Sequence, residues 1–152
     1  MFIPFHTIHI DRRAEAAFRR RALKAYPKEY LEILWGFIDD GIANICVYMP
    51  LDQKATKGSI DYDQRHIGHQ KIEARKYQME VLGSIHTHPG LTDAIFSDTD
   101  LREVQKHGEK ITAICAIEEK TLGSGKTRRI CRLAYWPGVR PMKVEYKERK
   151  AK

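Results

Sequence analysis

The stretch "GSIHTHPGLTDAIFSDTD", Gly83 to Asp100, holds two histidines two residues apart, a Pro-Gly pair and a Ser-Asp-Thr-Asp run. Its reading decides both the fold and the chemistry. With the preceding "EVL", the segment up to His88 has the composition of a strand, which Pro89 and Gly90 end. Side chains at i and i+2 of a strand share one face, so His86 and His88 project together while Thr87 turns away. Two imidazoles so placed can reach one zinc ion at about 2.0–2.1 Å each. Asp100, further along the chain, offers a carboxylate as a third ligand. A catalytic zinc needs that number and leaves its fourth position to water.

The second half of the stretch also reads as a helix start. Ser97 is a good N-cap, Asp100 sits at N3, and Phe96 and Leu101 are placed for a hydrophobic staple. Asp98 and Asp100 suit the positive end of a helix dipole. A His-x-His pair on a strand is likewise met as two surface or hydrogen-bonded histidines. From these residues alone both readings stand.

Working outward, Ile8–Ile10 reads as a short edge strand. From Asp11, a good N-cap, Ala14, Phe18, Ala22 and Ala25 recur at helical spacing until Pro27. Tyr30–Ile38 and Ile42–Met49 are β-rich and joined at "DDG", a hairpin turn. Leu51–Gln64 is polar and reads as a long surface loop. A second helix is expected from about Arg65 to Met79, with Ile67, Ile72 and Tyr77 on or near its apolar side. The strand carrying His86 and His88 follows, then a third helix over Ser97–His107. Strands are expected at "ITAICAIEE", "RRICRLAYW" and "MKVEYKE". This order predicts an α+β fold, a mixed and mostly antiparallel sheet flanked by helices.

The 152 residues match one domain. No repeat or linker divides them, so 1–152 is expected to be a single domain with a frayed, charged tail from about 145 to 152. No apolar run approaches the ~20 residues of a membrane helix, and the first residues lack the pattern of a signal peptide. Cys46, Cys115 and Cys131 are odd in number, far apart and set in apolar runs. They read as reduced thiols, which implies a cytoplasmic protein. The formal net charge of +7 permits attraction to nucleic acid or acidic partners. Its densest cluster, "DRRAEAAFRRRALK", reads first as the solvated face of an amphipathic helix.

"HTHP" followed by "SDTD" resembles the His-x-His-Pro…Ser-x-x-Asp signature of the JAMM metallopeptidases, also called the JAB/MPN family. The resemblance covers most of the chain and implies an α/β/α sandwich. It implies that His86, His88 and Asp100 bind one Zn²⁺. In the family a glutamate acts on the zinc-bound water, in a segment reading roughly Pro-x-Glu-x-x-Gly-x-Leu-x-Gly. "YPKEYLEILWG" stands in that place, with Pro27, Glu29, Leu34 and Gly36 matching, so Glu29 is the implied catalytic residue and Ser97 the implied oxyanion donor. Two departures stand out. The family spaces its second His and its Ser by seven residues, where "PGLTDAIF" has eight. Glu32 replaces a glycine, and strand alternation sets it on the face opposite Glu29.

The resemblance implies zinc-dependent hydrolysis of a peptide or isopeptide bond, at the C-terminal tail of a ubiquitin-like or sulfur-carrier-type protein. Two rivals are a non-catalytic interaction scaffold of the same fold and a basic nucleic-acid-associated protein. His6/His9 and His66/His69 also pair at i, i+3, but neither has a carboxylate at a recognisable ligand spacing.

Overall fold

A computed structural model describes residues 4–137 and 143–147. The elements run β1 (Thr7–Asp11), α1 (Arg12–Ala25), β2 (Leu31–Asp39), β3 (Ile42–Pro50), β4 (Lys54–Ala55), β5 (Ile60–Asp61), α2 (Gln64–Lys76), β6 (Glu80–Pro89), α3 (Asp98–His107), β7 (Ile111–Thr121), β8 (Thr127–Trp136) and β9 (Lys143–Lys147). Seven strands form one sheet in the order β8-β7-β6-β2-β3-β1-β9, and β4 and β5 form a separate two-stranded ribbon. Pairing is antiparallel at β2/β3, β2/β6, β7/β8 and β4/β5, and parallel at β1/β3, β1/β9 and β6/β7. The α+β expectation holds.

Local chemistry accounts for the main turns. The Asp11 carboxylate accepts the Ala14 N–H at 3.0 Å and starts α1. Asp40 and Gly41 both have positive φ, 49° and 73°, as a two-residue hairpin between β2 and β3 requires. Gly83 is needed for another reason: a Cβ there would lie 1.6 Å from the Ile111 carbonyl oxygen. Its absence lets β6 lie close along β7.

Alternation along β2 divides the core. Leu34 faces α1, where it packs with Phe18, Ala22, Ile8, Ile10, Ile45 and Ile85. Leu31, Ile33 and Trp35 face the other way, towards Ala74 of α2 and Leu51. The sheet therefore lies between α1 and α2 as the middle layer of a sandwich. Each fully buried large side chain, such as Phe18 or Leu34, stabilises this arrangement by about 1.5–3 kcal/mol.

Four expectations need correction. Ile8–Ile10 is not at an edge: β1 lies between β3 and β9, and both isoleucines are fully buried. Leu51–Gln64 is not a plain surface loop, because Leu51 is buried and β4/β5 fold inside it. On α2 the inward positions are Ile67 and Ala74. Ile72 and Tyr77 lie more than half exposed; five and ten residues from Ile67, they fall away from its side of a 3.6-residue helix. Finally, Glu145–Lys147 belong to β9, paired with β1; residues 148–152 of the expected tail lie outside the described residues.

The three cysteines are free thiols, Cys115 fully buried and the others half-buried. No helix among the described residues is long and apolar enough to cross a membrane.

Candidate metal centre

Strand β6 delivers the two histidines as its alternation dictates. Thr87 is fully buried and turned towards α1, while His86 and His88 emerge on the opposite face with their Nε2 atoms 2.9 Å apart. Gly90, at φ 87°, turns the chain out of the strand. The eight-residue spacer then returns it so that Asp100 Oδ1 lies 3.3 Å from His86 Nε2 and 3.9 Å from His88 Nε2.

These atoms fit a metal. Tetrahedral zinc with bonds of about 2.0–2.1 Å separates its ligand atoms by about 3.3 Å, and the three separations bracket that value. The three ligand atoms lie within 4.8 Å of one another, and no other such group of three occurs among the described residues. His6/His9 and His66/His69 thus gather no third ligand there. Two nitrogens and one carboxylate oxygen are a donor set that zinc accepts.

The shifts of His88 and Asp100 run in the direction ligation favours, towards neutral imidazole and ionised carboxylate. Burial, reinforced by the charge of His86, lowers the His88 pKa. Burial works to raise the Asp100 carboxyl, but hydrogen bonds from His86 and Ser97 outweigh it and hold the group well below the usual carboxylate range.

Helix α3 begins as the sequence suggests. The Ser97 N–H donates to Asp100 Oδ2 at 2.8 Å, and the Asp100 N–H donates to Ser97 Oγ at 3.1 Å. This is a capping box with Asp in place of the usual Glu or Gln. The helix start and the His-His-Asp cluster do not compete for Asp100, since the cap uses Oδ2 and Oδ1 faces the histidines.

Glu29 enters from the segment just before β2. Leu31 pairs with His86, and the Thr87 N–H donates to the Tyr30 carbonyl at 2.9 Å. Glu29, His86 and Asp100 line one cleft, together with Gly58 and Ser59 of the β4–β5 ribbon. Partial burial raises the Glu29 pKa; the charge of Asp100 adds to the rise and that of His86 opposes it. Ser97 is exposed at the head of α3 and is not among the residues lining that cleft.

Glu32 lies on the other face, as expected. It is fully buried beneath α1, where Arg21 grips it through Nε at 2.6 Å and Nη2 at 2.8 Å, and the Tyr30 hydroxyl donates to it. Arg19 similarly holds buried Glu15, with its Nη2 at 3.1 Å. These two cations of the basic cluster thus serve the interior of the fold and are not a solvated face.

Three supports were not visible in the motif. The Thr87 hydroxyl accepts the Tyr30 N–H at 2.9 Å, joining the histidine strand to the segment that carries Glu29 into β2. The Gln53 side-chain amide takes both backbone groups of Leu31, at 2.9 and 2.8 Å, where β3 has ended. The Thr56 carbonyl accepts the Glu29 N–H at 2.7 Å. For Thr87, its place between two histidines was the one available signal. Gln53 and Thr56 gave none.

The chain has the fold of a protein from Desulfitobacterium hafniense, DSY2949, known from a solution structure: TM-score 0.64 and 21% identity over 93% of this chain and 94% of that one. No curated protein matches the chain. The family model described as prokaryotic homologs of the JAB domain matches residues 11–138. That span holds Glu29 and all of β6 and α3, with His86, His88 and Asp100. The chain belongs to the prokaryotic JAB-domain family.

Proposed function

We propose that the protein is a zinc-dependent peptidase or isopeptidase, acting at the C-terminal tail of a ubiquitin-like or sulfur-carrier-type protein. The observation that carries this reading is the convergence of His86, His88 and Asp100 on one point, with Glu29 in the same cleft. A zinc ion held there would lower the pKa of water and polarise the scissile carbonyl. Glu29 takes the proton as water adds to the carbonyl carbon, then hands it to the leaving amine as the C–N bond breaks. A raised carboxyl pKa suits both halves of that task, because the group must accept and then release a proton near neutral pH. From the head of α3, outside the cleft lining, Ser97 would donate a hydrogen bond to the oxyanion of a substrate that extends over it, an interaction that strengthens as charge develops.

The test is metal content followed by cleavage. The wild-type protein should bind one zinc per chain, and His88→Ala should lose it. Against a panel of ubiquitin-like fusions, Glu29→Gln should keep the zinc and abolish cleavage. A zinc-free wild type, purified from cells supplied with zinc, would refute the reading. Zinc without cleavage in both wild type and Glu29→Gln would favour an interaction scaffold.

A further inference from the structure

One row of the sheet runs sideways from the centre. His88 pairs with Ala116 of β7 and Ala116 with Arg132 of β8, so all three side chains rise from the same face. Between histidine and arginine stands only the Ala116 methyl, which is fully buried. The spacer that separates His88 from Ser97 is fastened on this side. The Gly90 N–H first donates to the Ile117 carbonyl of β7 at 2.8 Å. Two residues later Arg132 Nη1 donates to the Thr92 carbonyl at 2.9 Å. The same guanidinium nitrogen lies 2.6 Å from Glu118 Oε2, so a carboxylate fixes the arginine that holds the loop.

We propose that Arg132 is a positioning residue for the metal centre: it pins the long spacer at Thr92, so that α3 returns with Asp100 against His86 and His88. The inference rests on the metal reading above and extends it to a residue that touches no metal. A loop fixed only at its ends samples many paths, and each ligand it delivers carries that entropy into binding. A third attachment, near the start of the spacer, shortens the free segment to Asp93–Phe96. Arg132 suits the task because its planar guanidinium can serve a carboxylate and a carbonyl together.

The experiment compares zinc affinity, by competition with a chromophoric chelator, in wild type, Arg132→Met and Arg132→Lys, alongside thermal melting of the metal-stripped proteins. Arg132→Met keeps the length of the side chain and removes its donors. It should bind zinc about 10–100-fold more weakly, with the melting of the stripped protein unchanged. Arg132→Lys, which can still donate to Thr92, should recover part of the affinity. Equal affinity in all three proteins would overturn the proposal, as would loss in Arg132→Met through a lowered melting temperature with no recovery in Arg132→Lys. A wild type that binds no zinc would instead bring down the metal reading itself, so the two failures are distinguishable.

Discussion

Ser97 and Asp100 hold each other by two reciprocal hydrogen bonds, which use one carboxylate oxygen of Asp100 and leave the other facing His86 and His88. Cap and ligand are thus separable by mutation. Ser97→Ala removes a cap acceptor and should lower stability by about 1 kcal/mol, with zinc retained. Asp100→Asn should do the reverse, since its carbonyl oxygen can still cap while its amide cannot replace a charged ligand. Denaturant melts of the stripped proteins, run beside zinc competition, would check both. Equal stability loss in the two variants would contradict the division.

The Arg21–Glu32 pair predicts a second contrast. Glu32 is fully buried, while the Arg21 side chain is 35% exposed. Arg21→Met leaves a buried carboxylate without its cation and should cost roughly 2–4 kcal/mol, reduced from the fully buried case by the solvent that reaches the guanidinium. Replacing both, Arg21→Met with Glu32→Leu, should recover most of that loss. The measurement is a double-mutant cycle by chemical denaturation, and strictly additive losses would refute the pairing.

Alkali should unfold the protein through its buried phenols. Burial, then the charges of Tyr48 and Glu15, raises the Tyr135 pKa far above the usual tyrosine value; burial, then the hydrogen bond to Glu32, raises that of Tyr30. A raised folded-state pKa means that the neutral phenols stabilise the fold fully below their unfolded value of about 10. That contribution is lost as pH climbs from there towards the folded values. The melting temperature should therefore fall steeply above about pH 10, and less steeply in Tyr135→Phe. A slope unchanged by that substitution would contradict the assignment.

The motif strand, the helix start after it and the sheet-and-helix order were legible because each rests on local rules: period-two alternation, a cap and a turn. The position of β1 was not, since a short apolar strand reads alike at an edge or in the interior, and its neighbour β9 lies over a hundred residues away. The inward side of α2 was misread because Ile72 and Tyr77 are apolar yet lie off the buried stripe. Arg19 and Arg21 read as solvated charge because their partners inside the fold are invisible in composition. The candidate ligands announced themselves by residue type, whereas the Arg132–Thr92 contact joins a common cation to a backbone carbonyl 40 residues away, which no motif encodes.

The three candidate ligands all come from one continuous run of chain, residues 86–100, while Glu29 comes from the segment just before β2, ahead of the ribbon and α2 in the chain. Under the proposed function, metal retention and proton transfer are thus written in different parts of the gene and can be lost independently. On the proposed reading, a change at position 29 alone leaves a loaded, correctly shaped and silent protein. The boundary between hydrolase and scaffold within this fold is then a single side chain, and occupancy of the centre reports on architecture before it reports on turnover.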